Sequence, residues 1–166
     1  MTNSINKIKV YLDTSVISYL EQNDAPIQRD ETREVWNSLK SGKYDIFISD
    51  VVINELLKCA DEEKQKLLLN HLLEINYTVV NVDEETVALA EHIIDFGILK
   101  QKSFDDCQHI AAAILNNCDI IVSWNFKHIV NVKTIRGIKV ITTMDGYKDI
   151  LIYPPTALLE EEDDDD

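Results

Sequence analysis

The feature that most constrains the fold is the alternation of short apolar runs with longer amphipathic segments. Runs rich in Val, Ile, Tyr and Phe have the length and composition of buried β-strands. Most are separated by segments in which apolar residues recur with the period of an α-helix. Strands that alternate with helices predict a parallel sheet covered by helices on both faces. The predicted strands are residues 8–12, 45–49, 78–82, 120–123 and 149–153.

Between these strands, helix start and stop signals delimit the amphipathic segments. Asp24-Ala25-Pro26 interrupts the chain, Ser41-Gly42 ends a helix, and Asn116-Asn117 ends another. Residues 131–144 fit two interpretations, a helix broken at Gly137 or a strand that begins at Ile138. The other predicted helices are residues 14–22, 31–39, 51–57, 61–73, 83–97 and 103–116.

Length and composition predict one soluble domain. The chain has 166 residues, of which 45% are hydrophobic, enough to bury a core. It has no apolar run long enough for a membrane helix and no secretory signal at its start, so we expect a cytoplasmic protein without a membrane partner. Three widely spaced cysteines predict free thiols rather than disulfides or a zinc site.

The charge distribution separates a domain from a tail. Half of the formal net charge of −14 comes from the last seven residues, all acidic. We therefore expect a folded domain over residues 1–153 and a disordered acidic tail over residues 154–166. The tail is interpreted as solubilising, or alternatively as a mimic of nucleic acid toward a basic partner. An acidic chain argues against broad nucleic-acid binding, but it permits an enzyme that grips phosphates through a metal and a few cations.

Polar residues follow the predicted strands at the points where each strand ends. Asp13 follows the first strand, Glu55 lies in the helix after the second, and Asn125 follows the fourth. Asp105 and Asp106 begin the helix that precedes the fourth strand. Sites in parallel sheets form beyond the carboxyl ends of the strands, so these groups are expected to gather at one edge. Clustered carboxylates with an amide beside them suit Mg²⁺ or Mn²⁺, which can activate water for attack on a phosphodiester.

Each of these residues also has a structural interpretation. Asp13 and Asp50 can serve as helix N-caps, and the two aspartates that begin the later helix can serve the helix dipole. Asn125 can be a turn residue. Glu55 is the least easily explained, because it lies near the apolar face of "VVINELLK", where an unpaired carboxylate is costly.

Several cations lie near these acids in the sequence. They can form a rim that contacts phosphates, or they can be ordinary solvated charges. His109, on the same helical face as Asp106, is expected to form a structural hydrogen bond at the edge of the site, and Trp124 is expected to pack. The cations are Lys100, Lys102, Lys127, His128, Lys133 and Arg136.

Four sequence blocks in this order resemble the PIN-domain family, and within it the VapC-like toxins of toxin–antitoxin pairs. The blocks are "YLDTSVIS", "ISDVVINEL", "DDCQHIAAA" and "DIIVSWNFKHIV", within a resemblance that spans about residues 8–153. The third block selects Asp106 over Asp105 as the family's acid. In the fourth block many members carry a further Asp where this chain has Asn125, and that departure bears on metal stoichiometry and nuclease strength.

The resemblance implies a fold and an activity. The fold is α/β, a three-layer α/β/α arrangement with a central parallel five-stranded sheet. The activity is that of a Mg²⁺- or Mn²⁺-dependent endoribonuclease, often a homodimer, whose active site a cognate antitoxin covers. Asp13, Glu55 and Asp106 would bind the metal, with Asn125 as the fourth catalytic residue. The residues hypothesised to position substrate or water are Thr14, Ser15, Ser123 and Lys127.

Two other functions compete with this hypothesis. A catalytically weak PIN module that binds RNA or a protein is favoured by Asn125 and by the net acidity. A phosphoryl-transfer domain with Asp13 as nucleophile is disfavoured, because haloacid-dehalogenase-like phosphatases need a second acid where this chain has Ser15.

Overall fold

The computed structural model describes residues 6–159 and places five strands and seven α-helices in them. Short 3₁₀ helices at Tyr19–Glu21, Gln101–Ser103 and Pro155–Leu158 complete the structure. The strands are β1 (Ile8–Leu12), β2 (Tyr44–Ser49), β3 (Tyr77–Val80), β4 (Ile120–Val122) and β5 (Leu151–Tyr153). The helices are α1 (Thr14–Ser18), α2 (Pro26–Lys40), α3 (Asp50–Leu57), α4 (Glu62–Leu72), α5 (Glu84–Asp95), α6 (Phe104–Leu115) and α7 (Val132–Asp145).

All five strands form one parallel sheet in the order β3-β2-β1-β4-β5, which confirms the predicted fold class. Val10 on the central strand pairs with Ile46 of β2 on one side and with Ile120 of β4 on the other. The chain builds the sheet outward from β1 in one direction and then crosses to β4 to build it in the other. The carboxyl ends of β1 and β4 therefore form a topological switch point, where open α/β sheets place their sites.

Two separate cores lie on the two faces of the sheet. Val10 and Leu12 belong to a core formed with helices α1 to α4. Tyr11 and Ile121 belong to a second core formed with α5, α6 and α7. The alternation of strand side chains between the faces produces this division, and it confirms the three-layer arrangement.

Residues 132–145 form a continuous helix, which decides between the two interpretations of this segment. Gly137 lies inside α7 and allows the helix to approach Ile98 closely. A Cβ atom at position 137 would lie 2.4 Å from Cγ1 of Ile98, well inside van der Waals contact. The glycine that resembled a helix breaker in the sequence is thus a packing requirement between α7 and the loop after α5.

Two predicted helix starts are wrong. The second helix begins at Pro26 rather than at residue 31. Proline is well suited to the first turn of a helix, and residues 26–30 lack the apolar periodicity from which a helix is predicted. Ser49, not Asp50, holds the N-cap position of α3. The Asp50 carboxylate instead accepts a hydrogen bond of 3.1 Å from the backbone N–H of Val82, which ties α3 to the segment after β3.

The boundary of the folded domain lies beyond residue 153. Pro155 and Leu158 are buried, and Leu158 joins the core beneath α2. The start of the predicted tail is therefore packed, because the 3₁₀ helix Pro155–Leu158 lies against α2. The acidic residues 160–166 lie outside the described residues.

Free cysteines are found at all three predicted positions. Burial raises the pKa of the Cys107 and Cys118 thiols to about 12 each, so both remain protonated at neutral pH.

Within residues 6–159 no helix is long and apolar enough to cross a membrane.

Candidate active site

Asp13 lies at the carboxyl end of β1 and is only 4% exposed. Its backbone occupies the N-cap position of α1, but its carboxylate makes no capping hydrogen bond. Instead the two carboxylate oxygens accept hydrogen bonds from the Ser15 hydroxyl at 2.5 Å and the Ser123 hydroxyl at 2.8 Å. The structure therefore excludes side-chain capping by Asp13 and leaves its carboxylate in a buried polar pocket between β1 and β4.

Ser15 and Ser123 link this pocket to the backbone after β4. The Ser15 hydroxyl oxygen accepts a hydrogen bond of 2.9 Å from the N–H of Trp124. The Ser123 oxygen accepts one of 2.9 Å from the N–H of Asn125. Both serines were predicted to position substrate or water, and their contacts show that they hold the Asp13 carboxylate in place.

His109 and Glu55 form the second part of the site. His109 of α6 is 2% exposed, and its Nε2 lies 2.8 Å from an oxygen of Glu55 on α3. Burial by itself would raise the pKa of Glu55, but the hydrogen bond and charge of His109 outweigh it and lower that pKa. This contact explains how a carboxylate is tolerated beside an apolar helix face.

The Tyr11 hydroxyl contacts the ring of His109 on the side opposite Glu55, a contact that the sequence analysis did not predict. The Tyr11 hydroxyl lies 2.8 Å from Nδ1 of His109 and donates a hydrogen bond of 2.8 Å to the Ser49 hydroxyl. Burial raises the pKa of Tyr11, so its hydroxyl stays protonated. A tyrosine flanked by Val10 and Leu12 in a strand expected to be buried was the available signal, because a buried hydroxyl needs a partner.

Asp106 forms the third part of the site, on the first turn of α6. One of its oxygens lies 2.9 Å from Nδ1 of His128, and the other accepts a hydrogen bond of 3.3 Å from the Asn125 amide. The Asn125 amide oxygen accepts a hydrogen bond of 2.9 Å from the N–H of His128. Asp105, in contrast, is exposed, and within residues 6–159 its carboxylate accepts a hydrogen bond only from Gln108 of its own helix. The structure thus brings Asp106, rather than Asp105, to the site.

Thr14 and Lys127 lie at the edges of this arrangement. The Thr14 hydroxyl is buried. Lys127 is exposed and lines a cavity beside His128. Of the predicted rim of cations, Arg136 lies apart from that cavity, in a groove between α7 and β5.

The three acids share one electrostatic environment. Burial raises the pKa of Asp13 and of Asp106, and the negative charge of Asp106 raises that of Asp13 further. Burial lowers the pKa of His109, but its hydrogen bond to Glu55 and the charges of the three acids outweigh burial and raise it. The raised pKa favours the protonated form of His109, whose positive charge opposes the negative charges of the three acids.

The chemistry of these donors fits a hard divalent cation, because three partly desolvated carboxylates repel one another and offer only oxygen ligands. Their present geometry does not form a finished metal site. Across residues 6–159, no three carboxylate, imidazole or thiol groups are grouped so that they could hold a metal ion. The carboxylate oxygens face serine hydroxyls and imidazoles instead, so metal binding requires these side chains to exchange partners.

A model of the PIN domain family matches residues 10–128, which is more than half of the chain. The chain belongs to the PIN domain family. PIN domains are generally nucleases that use divalent metal ions. The fold of this PIN domain is similar to the crystal structure of VapBC2 from Rickettsia felis bound to a DNA fragment from their promoter, with a TM-score of 0.54 and 16% sequence identity. That match covers 87% of this chain and 97% of the other, and at this identity it shows the fold alone. A comparison with curated proteins finds no significant match.

Removing the Tyr11 hydroxyl is expected to destabilise the PIN domain. Tyr11→Phe leaves the buried His109 nitrogen and the Ser49 hydroxyl without a partner, at a cost of about 1–3 kcal/mol in the free energy of unfolding. Urea unfolding followed by circular dichroism measures this change. Tyr153→Phe, at an exposed tyrosine, is the control and should change the free energy by less than about 0.5 kcal/mol. Equal effects of the two substitutions would contradict the role of the Tyr11 hydroxyl.

Proposed function

We propose that this PIN domain is a metal-dependent endoribonuclease that uses Mg²⁺ or Mn²⁺. The observation that carries the proposal is the hydrogen-bond network that links Asp13 through Ser123 and Asn125 to Asp106, with the Glu55–His109 pair held by the same helix as Asp106, at the switch point of the sheet. Elements that are distant in the sequence bring these acids together, and the protein bears the cost of burying Asp13 and of partly burying Glu55 and Asp106. Such a cost is typical of functional sites.

In this proposal, Asp13, Glu55 and Asp106 would hold the metal. A bound Mg²⁺ or Mn²⁺ lowers the pKa of water and stabilises the charged transition state of phosphodiester hydrolysis. Ser15 and Ser123 fix the Asp13 carboxylate, and His109 fixes Glu55. His128 and Asn125 hold the Asp106 carboxylate.

A circular RNA provides the test, because only an endonuclease can open it. We expect cleavage by the wild-type protein with Mg²⁺ or Mn²⁺, no cleavage with EDTA, and no cleavage by Asp13→Asn. Asp24→Asn makes the same chemical change at an exposed aspartate and should cleave as well as wild type. Metal-independent cleavage, or full activity of Asp13→Asn, would refute the proposal. A circular DNA of the same sequence tests whether RNA is preferred.

The proposal extends to partners and setting. The four sequence blocks and the likeness to VapBC2 support a toxin of a toxin–antitoxin pair, acting in the cytoplasm as a homodimer and bound by a cognate antitoxin. The protein encoded by the neighbouring reading frame should then co-purify with this chain and inhibit RNA cleavage. If the neighbouring frame encodes no small DNA-binding protein, the toxin assignment fails while the nuclease assignment stands.

A second function, a catalytically weak PIN module that binds RNA or protein, is favoured by Asn125. Its amide nitrogen faces Asp106 at 3.3 Å, at the position where many PIN domains carry a fourth acid. Calorimetric titration with Mn²⁺ separates the two functions. Binding that Asp106→Asn weakens favours the nuclease, whereas no binding at millimolar Mn²⁺ favours the binding module.

A further inference from the structure

Beside the three acids lies a separate cavity of about 240 Å³ with a cationic lining. It is lined by two stretches of the chain, residues 98–103 between α5 and α6 and residues 127–134, which lead into α7 and form its first turn. Its walls carry four lysines and one histidine and contain no acidic residue. In a chain with 30 acidic and 16 basic residues, this is a pronounced local reversal of charge. The cationic residues of this cavity, termed the lysine cavity below, are Lys100, Lys102, Lys127, His128 and Lys133.

The lysines of the lysine cavity are unneutralised. Elsewhere on the surface, Lys139 pairs with Asp149 at 2.8 Å and Lys40 pairs with Glu74 at 3.6 Å. Within residues 6–159, the four lysine ammonium groups of the cavity form no salt bridge or hydrogen bond. Like charges gathered around a concave surface repel one another, and a bound anion relieves that repulsion.

Hydrogen-bond donors in the wall of the lysine cavity add to this charge. Ser103 lines the cavity and is 4% exposed, yet its hydroxyl neither caps α6 nor bonds to any other described residue. Ser103 and Asn131 are also the N-cap residues of α6 and α7, so the positive ends of two long helices meet at the cavity. An unpartnered hydroxyl on a residue that is only 4% exposed, next to helix termini and lysines, matches the requirements of a phosphate group.

We propose that the lysine cavity binds a phosphate of the RNA strand other than the one that is cleaved. The inference rests on the proposed nuclease function and deepens it. His128 connects the two sites, because it lines the cavity while its Nδ1 lies 2.9 Å from the Asp106 carboxylate. A phosphate held in the lysine cavity is therefore separated from the Asp106 carboxylate only by the side chain of His128. Its binding sets the register of the RNA strand relative to the carboxylate site. The phosphate belongs either to the RNA backbone or to an RNA end.

Binding is tested without cleavage, in EDTA. Inorganic phosphate is titrated into ¹⁵N-labelled protein, and a synthetic oligoribonucleotide is titrated in a separate series. We expect saturable shifts of the Ser103 and Thr134 amide signals with phosphate. The double variant Lys102→Gln/Lys133→Gln should lose these shifts and weaken RNA binding at least tenfold, with a salt slope reduced by about 0.7 for each lost contact. Lys66→Gln, at an exposed lysine of α4, is the matched control and should behave as wild type. Shifts that are absent, or that persist in the double variant, would overturn the inference.

Cleavage kinetics then identify the source of the phosphate and separate the two proposals. With Mn²⁺, the double variant should show a KM at least tenfold higher, with a much smaller change in kcat. If removal of the 5′-phosphate raises KM in wild type but not in the double variant, the cavity holds a terminal phosphate. If instead single methylphosphonate linkages, which remove the charge of one backbone phosphate, raise KM in wild type but not in the double variant, the lysine cavity holds a backbone phosphate. An unchanged KM in the double variant would overturn this inference and leave the nuclease proposal intact. Absence of cleavage would refute the nuclease proposal, whereas phosphate binding would still show the anion site.

Discussion

Replacing Asp106 with asparagine is expected to reduce RNA cleavage by about a thousandfold or more, because it removes one of three clustered negative charges that would hold the metal. The same replacement at Asp105 should leave cleavage within about twofold of wild type. Single-turnover cleavage of an end-labelled RNA with Mn²⁺ measures both variants.

These two aspartates form a closely matched pair for this comparison. They are adjacent on the first turn of α6, so both substitutions change the helix-dipole interaction in the same way. Only Asp106 contacts His128 and Asn125. A similar loss in both variants would mean that helix stability, rather than the carboxylate site, accounts for the effect. A loss of cleavage in Asp105→Asn alone would mean that the site lies on the face of α6 that carries Asp105, which would contradict the assignment of Asp106.

Replacing Ile110 with alanine is expected to lower the free energy of unfolding by about 2–5 kcal/mol. Ile110 is fully buried on α6, in the core between that helix and the sheet. The substitution leaves a cavity directly behind the helix that presents Asp106 and His109, and a loss of this size is a large fraction of a typical domain stability. Guanidinium unfolding measured by fluorescence and by circular dichroism gives the value.

Ile135→Ala on α7 is the control for this substitution, because the same atoms are removed from a side chain that is 39% exposed. It should cost less than about 1 kcal/mol. If Ile110→Ala and Ile135→Ala cost the same, the core on the α5–α7 side of the sheet is not packed as described here. Coinciding transitions with the two probes are needed for the comparison, since the free energy is defined only for two-state unfolding.

Much of the fold follows from local sequence patterns. The runs that contain Leu12 and Ile121 have the composition of strands, and the helical periods between the runs require parallel crossovers. Parallel connection places the carboxyl ends of these strands at one edge, so the sequence alone makes Asp13 and Asn125 candidate site residues. Glu55 was a candidate because a carboxylate near an apolar helix face needs a partner.

Features that depend on distant contacts were not predictable in this way. Gly137 has the same local signature whether it breaks a helix or admits Ile98, and only the packing of α7 against the loop after α5 decides between them. Ser49 and Asp50 are both good N-cap residues by type. In the structure Ser49 holds the N-cap position, and the Asp50 carboxylate accepts a hydrogen bond from the distant N–H of Val82. Pro155 and Leu158 were assigned to a tail because their core neighbours on α2 are remote in the sequence.

The sequence by itself determined most of the strands and helices, because hydrophobic periodicity is a local property, although residues 131–144 stayed open between a helix and a strand. It also made the acids near the strand ends candidates, and the resemblance to the PIN-domain blocks selected Asp106 over Asp105. Tertiary structure alone decided what those acids contact. The series of hydrogen bonds from Ser49 through Tyr11 and His109 to Glu55 joins four separate elements, and the lysine cavity joins two segments. Hydrogen-bond partners and enclosed charge depend on distances between residues that are far apart in the chain, so they emerge only when the two faces of the sheet are packed.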